Sequence, residues 1–288
     1  MTLSWRELRE DCAARLRAGG VDDPVQELRW ILERASGRSA AEQVGALDEP
    51  VTEREVRWVD DMVGRRATGE PLQYVLGRWG FRSLDLLVDR RVLIPRPETE
   101  VVAGLAIEVL AGLGRPGRAA DLGTGSGAIA LSLAAELWPA VEVWATDASA
   151  DALAVARANL AGLGRRASVV RLVAGDWFGA LPDDLRGRFD VVVTNPPYVP
   201  SGAPLPGEVA DWEPRAALVP GPTGLEDIER IVAEAPGWLA EDGVLVVEIG
   251  DEQGDAARAL AERAGFGEVR VEPDLTGRDR AIVARVGR

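Results

Sequence analysis

Asp121-Leu122-Gly123-Thr124-Gly125-Ser126-Gly127 joins two kinds of sequence. Before it, Arg118 to Leu122 is a short apolar run of strand character, and after it Ala128 to Leu137 carries apolar residues at helical spacing. Glycines at alternate positions allow a tight strand-to-helix turn and let a ligand approach the backbone closely. The same alternation continues outward. Val141 to Thr146 reads as a strand ending at Asp147, and Ala150 to Leu160 as a helix. Val169 to Ala174, Asp190 to Thr194 and Val244 to Ile249 read as strands, the last followed by a helix through Leu260. A helix over Thr99 to Leu110 precedes them, and Val269 to Val271 with Ala281 to Val286 closes the chain as a strand pair. Strands alternating with helices predict βαβ units, a parallel sheet and an α/β fold.

The first 80 residues carry a different pattern. Trp5, Leu8, Cys12 and Leu16 recur at spacings of three and four. Asp23-Pro24 opens a helix through Leu28, Ile31 and Leu32, and Thr52 with Glu55 forms a capping box before Val56, Val59 and Val63. Short helices with short connections predict a small helical bundle. Leu84 to Val88 and Arg91 to Ile94, separated by Asp89-Arg90, are expected to pair as a β-hairpin before Pro95-Arg96-Pro97 stops regular structure. The expected organisation is a helical domain over 1–82, a hairpin linker over 83–98 and an α/β domain over 99–288.

Composition excludes several chemistries. The chain of 288 residues has no histidine and one cysteine, and all 33 of its basic residues are arginine. Internal disulfides, Cys- or His-built zinc sites, histidine bases and lysine Schiff bases are therefore absent, and no metal site is expected. The net charge of −14 disfavours binding to a polyanionic nucleic acid. No apolar run is long enough to cross a membrane and no signal peptide is recognisable, so a cytoplasmic location without membrane contact is expected.

Two motifs carry the chemistry. The glycine loop, followed about 20 residues later by Asp147, is suited to a nucleoside-containing cofactor whose ribose hydroxyls an acid holds. Gly123, Gly125 and Ala128 also satisfy the dinucleotide fingerprint, so the loop is compatible with NAD as well as S-adenosylmethionine. Asp121 favours the latter, because a carboxylate there opposes a pyrophosphate and suits a cationic methionine end. Asn195-Pro196-Pro197-Tyr198 decides between them. It follows a strand, at the sheet edge where such folds bind ligands. The lone pair of a planar amide nitrogen is delocalised, which makes it a poor nucleophile. Accepting hydrogen bonds from its N–H groups aims it and favours the pyramidal transition state. The Asn195 side-chain oxygen and the Pro196 carbonyl are the acceptors, Pro197 stiffens the loop, and Tyr198 offers a flat face to a planar group.

The combination resembles the HemK/PrmC family of S-adenosylmethionine-dependent methyltransferases, which act on glutamine in peptide chain release factors. The resemblance extends over nearly the whole chain. It includes Gly69 to Tyr74, Ile94 to Glu100, Gly175 to Phe178, Glu213 to Leu218, Gly224-Leu225, Glu248 to Gly250 and Gln253. It implies a Rossmann-like, seven-stranded class I methyltransferase sheet with a final antiparallel strand. It further implies that Gly123, Thr124, Gly125, Ser126 and Gly127 wrap the cofactor's methionine portion and that Asp147 binds its ribose. Trp177 would pack on the adenine with Asp176 near its amino group, and Asn195 to Tyr198 would hold the substrate glutamine. The N-terminal helices would help recognise the release factor.

Arg96, Glu98 and Glu100 read equally as functional groups and as a helix start. Glu248, ending a strand on the binding edge, reads as support behind the site, and Trp79 to Phe81 as a lid or a core contact. Rival functions are glutamine methylation of a ribosomal protein, amino-methylation of a nucleic acid, a dehydrogenase that leaves Asn195 to Tyr198 idle, and a non-catalytic cofactor-binding scaffold.

Overall fold

The computed structural model describes residues 3–287. The chain forms two compact units. One comprises the chain up to Arg78 together with Leu205–Trp212; the other comprises Trp79–Pro204 and the chain from Glu213 onward.

The first unit is helical. Its helices are α1 (Trp5–Ala18), α2 (Pro24–Ser36), α3 (Ala40–Gly45), α4 (Glu53–Ala67) and α5 (Leu72–Leu76). The expected caps are formed: Asp23 accepts from the Gln26 N–H, and Thr52 with Glu55 makes a reciprocal box. α1, α2 and α4 pack on one another through Leu8, Leu16, Leu28, Ile31, Val59 and Val63. Cys12 lies in this core, where burial pushes its thiol up to about 11 and leaves it inert. Arg66 is buried beneath the helices and is held by Glu27 at 2.5 Å and by Glu208 at 2.7 Å.

The second unit begins with a hairpin of β1 (Arg78–Phe81, its first residue closing the helical unit) and β2 (Leu84–Leu87). Here the structure corrects the sequence reading: the expected pairing of Leu84–Val88 with Arg91–Ile94 does not form. The turn lies at Arg82-Ser83, where Arg82 takes a φ of +50°. Glu100 holds it there by accepting from the Arg82 backbone N–H at 2.9 Å. Beyond β2, Arg91 folds back on Asp89, and the Ile94 N–H donates to the Glu213 carboxylate at 3.1 Å. The second apolar run therefore spends its backbone donor on a distant side chain, and its apolar residues fill the core without strand pairing.

The main elements follow as α6 (Pro97–Ala111), β3 (Gly117–Leu122), α7 (Ala128–Leu137), β4 (Val141–Asp147), α8 (Ala150–Ala161), β5 (Val170–Ala174) and β6 (Phe189–Thr194). After α9 (Gly207–Trp212), which lies in the first unit, come α10 (Glu226–Glu234), β7 (Leu239–Glu248), α11 (Gly254–Arg263), β8 (Phe266–Pro273) and β9 (Asp279–Val286). Seven strands form one sheet in the order β5-β4-β3-β6-β7-β9-β8. The first five run parallel, and β9 is antiparallel to both of its neighbours. β6 is buried at every residue, as expected of a strand covered on both faces.

Strand order reverses at β3, whose neighbours are β4 and β6, and a crevice opens there at the carboxyl ends. Register then fixes what lines it. Leu122 pairs with both Thr146 and Thr194, Thr194 pairs with Val247, and Asp147 pairs with Ala174. Gly175, Asp147, Gly123, Asn195 and Glu248 consequently stand in one row along the sheet edge.

Candidate active site

The glycine loop turns through three residues of positive φ, Gly123, Gly125 and Gly127, before α7 begins. Its backbone is tied to the next strand: the Thr124 N–H donates to the Thr146 carbonyl at 2.8 Å, and the Gly125 N–H to Asp147 at 2.8 Å. Asn159 of α8 braces it from behind by donating to the Ser126 carbonyl at 2.8 Å while bonding both backbone groups of Leu87. A side chain at Gly123 is excluded, because a Cβ there would lie 2.8 Å from the Trp177 ring.

The loop forms one wall of a cavity of about 440 Å³. The structure brings Asp121, Gly123, Thr124, Gly125, Ser126, Asp147, Asp176, Trp177, Asn195 and Pro197 together on its lining. Gly127, Pro196 and Tyr198 are not on that lining. Gly127 caps α7, and Tyr198 turns its hydroxyl toward Glu248 at 3.4 Å. The sequence reading missed the opposite walls, made by Arg91 to Leu93, Pro95, Thr99, Pro214, Ala216, Ala217 and Asp227. Several of these fall inside the family-like segments Ile94 to Glu100 and Glu213 to Leu218. No local pattern tells which side chain of such a segment faces a ligand.

Charge is distributed unevenly around this cavity. Asp121 is wholly enclosed: its Oδ2 accepts from the Thr124 hydroxyl at 2.6 Å and the Ala130 N–H at 3.0 Å, while its Oδ1 has no partner. Burial outweighs those donors and pushes its carboxyl up to about 7. Burial also raises Asp147, against backbone N–H donors from Ser149 and Gly125. Asp176 is exposed and paired with Arg230 at 2.6 Å. Trp177, at a φ of +44°, shares the cavity lining with Asp227, whose carboxyl burial raises and the nearby indole opposes.

The Asn195 loop is held rigidly. Thr194 donates its hydroxyl to the Leu122 carbonyl at 2.7 Å, tying the carboxyl ends of β6 and β3 together. Gln253 donates to the Tyr198 carbonyl at 3.0 Å and to the Gly224 carbonyl at 3.2 Å. Gly224 has a φ of +78°, and a Cβ on it would collide with the Tyr198 carbonyl oxygen. Arg96, Thr99 and Glu100 are also resolved in role. Arg96 pairs with the buried Glu213, Glu100 fixes the hairpin turn, and Thr99 accepts from the Asn195 carboxamide at 3.1 Å.

Comparison with known proteins agrees with this architecture. The PrmC N-terminal domain family matches residues 7–77, and the methyltransferase small domain family matches residues 103–204. A release factor glutamine methyltransferase of Moorella thermoacetica is 42% identical over 98% of this chain and 98% of its own length. The chain belongs to the release factor glutamine methyltransferase family. A second member, from Bordetella pertussis, is 43% identical over 89% of this chain and 93% of its own length. A crystal structure of a methyltransferase from Pyrococcus furiosus covers 83% of this chain and 100% of its own, with a TM-score of 0.50 and 20% identity, and so shares the fold. As a family member the chain is an S-adenosylmethionine-dependent methyltransferase with the seven-stranded sheet expected from its sequence. Among the described residues no helix is long and apolar enough to cross a membrane.

Proposed function

We propose that this protein transfers a methyl group to the side-chain amide nitrogen, N5, of the glutamine in the Gly-Gly-Gln motif of peptide chain release factors. The observation that carries the reading is the adjacency of Asn195 to the glycine loop on one cavity wall. An amide-binding loop and a cofactor loop side by side suit transfer between two small groups.

The residues present fit S-adenosylmethionine. The unpartnered Oδ1 of buried Asp121 calls for a cationic donor, which the ammonium group of a methionine moiety satisfies. The bare backbone from Gly123 to Gly127 leaves room for close approach, with Gly123 packed against the Trp177 ring. Asp121 and Gly123 to Gly127 would hold the methionine end, Asp147 the ribose, and Trp177 and Asp176 the adenine side. The cofactor supplies an electrophilic methyl group on a sulfonium.

The protein's own contribution is placement. Asn195, on the lining, would accept one amide hydrogen of the substrate, and the Pro196 carbonyl would accept the other if the bound glutamine reaches past the lining to it; this would turn the nitrogen toward the methyl and favour its pyramidal form. Pro197, on the cavity lining, would confine the amide plane. So placed, the nitrogen lone pair would take up the methyl that the sulfonium supplies, leaving a neutral thioether, and one N–H proton would leave to water afterwards. No base is needed beforehand, in keeping with a chain that has no histidine. The helical unit, residues up to Arg78, is the element proposed to grip the release factor, and a cytoplasmic location follows from that substrate.

Purified protein with methyl-labelled S-adenosylmethionine and unmethylated release factor tests the reading. Mass spectrometry is expected to find one methyl on the Gly-Gly-Gln glutamine and none on a Gln→Ala release factor. Label in a ribosomal protein or in DNA, with none in release factor, would overturn it. Asn195→Ala is expected to keep cofactor binding and lose most turnover, whereas Trp177→Ala weakens cofactor binding first.

A further inference from the structure

Glu248 is fully buried at the carboxyl end of β7, one strand over from Asn195 in the sheet-edge row. A buried carboxylate carries a large desolvation cost unless something uses it. Three elements face it. Thr99 and Glu98 come from the start of α6, Tyr198 from the substrate loop, and Arg280 from β9. Tyr198 directs its hydroxyl at Oε1 from 3.4 Å, Oε2 is buried without a hydrogen-bond partner, and the nearby Thr99 hydroxyl favours the charged carboxylate. Arg280 is engaged by Asp274 at 3.1 Å, so it offers Glu248 only a shared charge. The Thr99 oxygen in turn receives the Asn195 Nδ2 at 3.1 Å.

We propose that Glu248 and Thr99 are positioning residues that fix which end of the Asn195 carboxamide faces the substrate. This deepens the glutamine-methylation reading and rests on it. The argument is one of hydrogen-bond polarity. A carboxylate only accepts, so the Thr99 hydroxyl turns its proton toward the unpartnered side of Glu248 and keeps its lone pairs for Asn195, whose Nδ2 it receives. Asn195 must then turn its NH2 toward Thr99, which leaves Oδ1, an acceptor, for the cavity. A substrate amide nitrogen carries only hydrogens to offer, so the acceptor end is the productive one. If Glu248 takes up a proton and donates it to Thr99, the polarity reverses. Thr99 then donates to Asn195 Oδ1, and the NH2 group that faces the cavity repels the substrate amide. Tyr198 is set by the same carboxylate, so one buried group orients two residues of the loop.

Burial pushes Glu248 up to about 7, against the opposing effects of Thr99, Arg280 and Tyr198. Asp121 titrates in the same range, so the profile is read at saturating cofactor, with Asp121 paired. Under those conditions kcat is expected to fall on the acid side of about pH 7.

The test uses the full chain with release factor, three variants, and both turnover and binding. Thr99→Val keeps shape and removes the hydroxyl; kcat should fall about 10- to 100-fold, with cofactor Kd by calorimetry close to wild type and a melting temperature lower by only a few degrees. Thr99→Ser restores the hydroxyl and should recover turnover to within about threefold of wild type. Glu248→Gln still offers Thr99 an acceptor but cannot titrate, so it should retain measurable turnover and lose the acid limb. Calorimetric binding of a Gly-Gly-Gln peptide to the complex with S-adenosylhomocysteine should weaken in Thr99→Val, a readout independent of turnover. Unchanged kcat and peptide binding in Thr99→Val, failure of Thr99→Ser to rescue, or an acid limb that survives in Glu248→Gln would overturn the proposal. Failure of the wild-type protein to methylate release factor would instead overturn the function on which it rests.

Discussion

Replacing Asp121 by asparagine should make the cofactor-free protein more stable while weakening cofactor binding. The Asp121 carboxyl stands at about 7 in the folded protein against an ordinary 3.8. A folded-state value above the unfolded one means that the folded protein binds the extra proton between those two limits. Stability is therefore lost as pH rises through that window, and the full cost is present above about 7. At about 1.4 kcal/mol per pH unit the cost comes to about 4 kcal/mol. Asparagine removes the charge and keeps an oxygen for Thr124 and Ala130, but it places an NH2 where Oδ1 now lacks a partner, at about 2 kcal/mol. The net gain at pH 8 is about 2 kcal/mol, or about 4–8 °C in Tm for a domain of this size. It should shrink to nothing near pH 5, as Asp121 itself becomes neutral. Binding moves the other way. A cationic group about 4 Å from a carboxylate gains about 4 kcal/mol at an effective dielectric near 20. Desolvation cancels part of that, leaving cofactor Kd about 10- to 100-fold weaker in the variant. Thermal melts of the cofactor-free proteins at pH 5 and 8, with calorimetry at pH 8, check both halves. A variant no more stable than wild type at pH 8, a difference independent of pH, or an unchanged Kd would refute the reasoning.

Three further outcomes are expected. Gly123→Ala forces a side chain into a φ of +71° and sets its Cβ 2.8 Å from Trp177; strain of about 1–2 kcal/mol plus a displaced ring should raise cofactor Kd about 10-fold by calorimetry. Asn159→Ala leaves both Leu87 backbone groups and the Ser126 carbonyl without their side-chain partner, so urea unfolding should show a loss of about 2–3 kcal/mol, with weaker cofactor binding as the glycine loop loosens. Glu27→Gln leaves the buried Arg66 with the half-exposed Glu208 as its carboxylate partner beside the Glu70 carbonyl; the helical unit should lose about 2 kcal/mol in a denaturant melt while cofactor Kd stays unchanged.

Local chemistry alone was enough for much of this protein. The apolar runs of β3, β4, β5 and β6, the glycine turn before α7, and the caps at Asp23 and Thr52 are each set within a few residues. They depend on side-chain periodicity and on which residue can satisfy a free N–H. Asp121 and Asn195 were legible for the same reason, because each ends a recognisable strand. Tertiary structure alone decided the rest. The hairpin moved to Arg82-Ser83 because Glu100, in another element, captures the turn and Glu213 captures Ile94. Leu205–Trp212 belongs to the helical unit although it lies far along the sequence from it. Thr99 and Glu248 acquired their relation to Asn195 only through strand register, which stands Glu248 beside the loop, and through the start of α6, which brings Thr99 to it. Periodicity encodes which face of an element is buried, but it holds no information about which distant side chain will lie one hydrogen bond away.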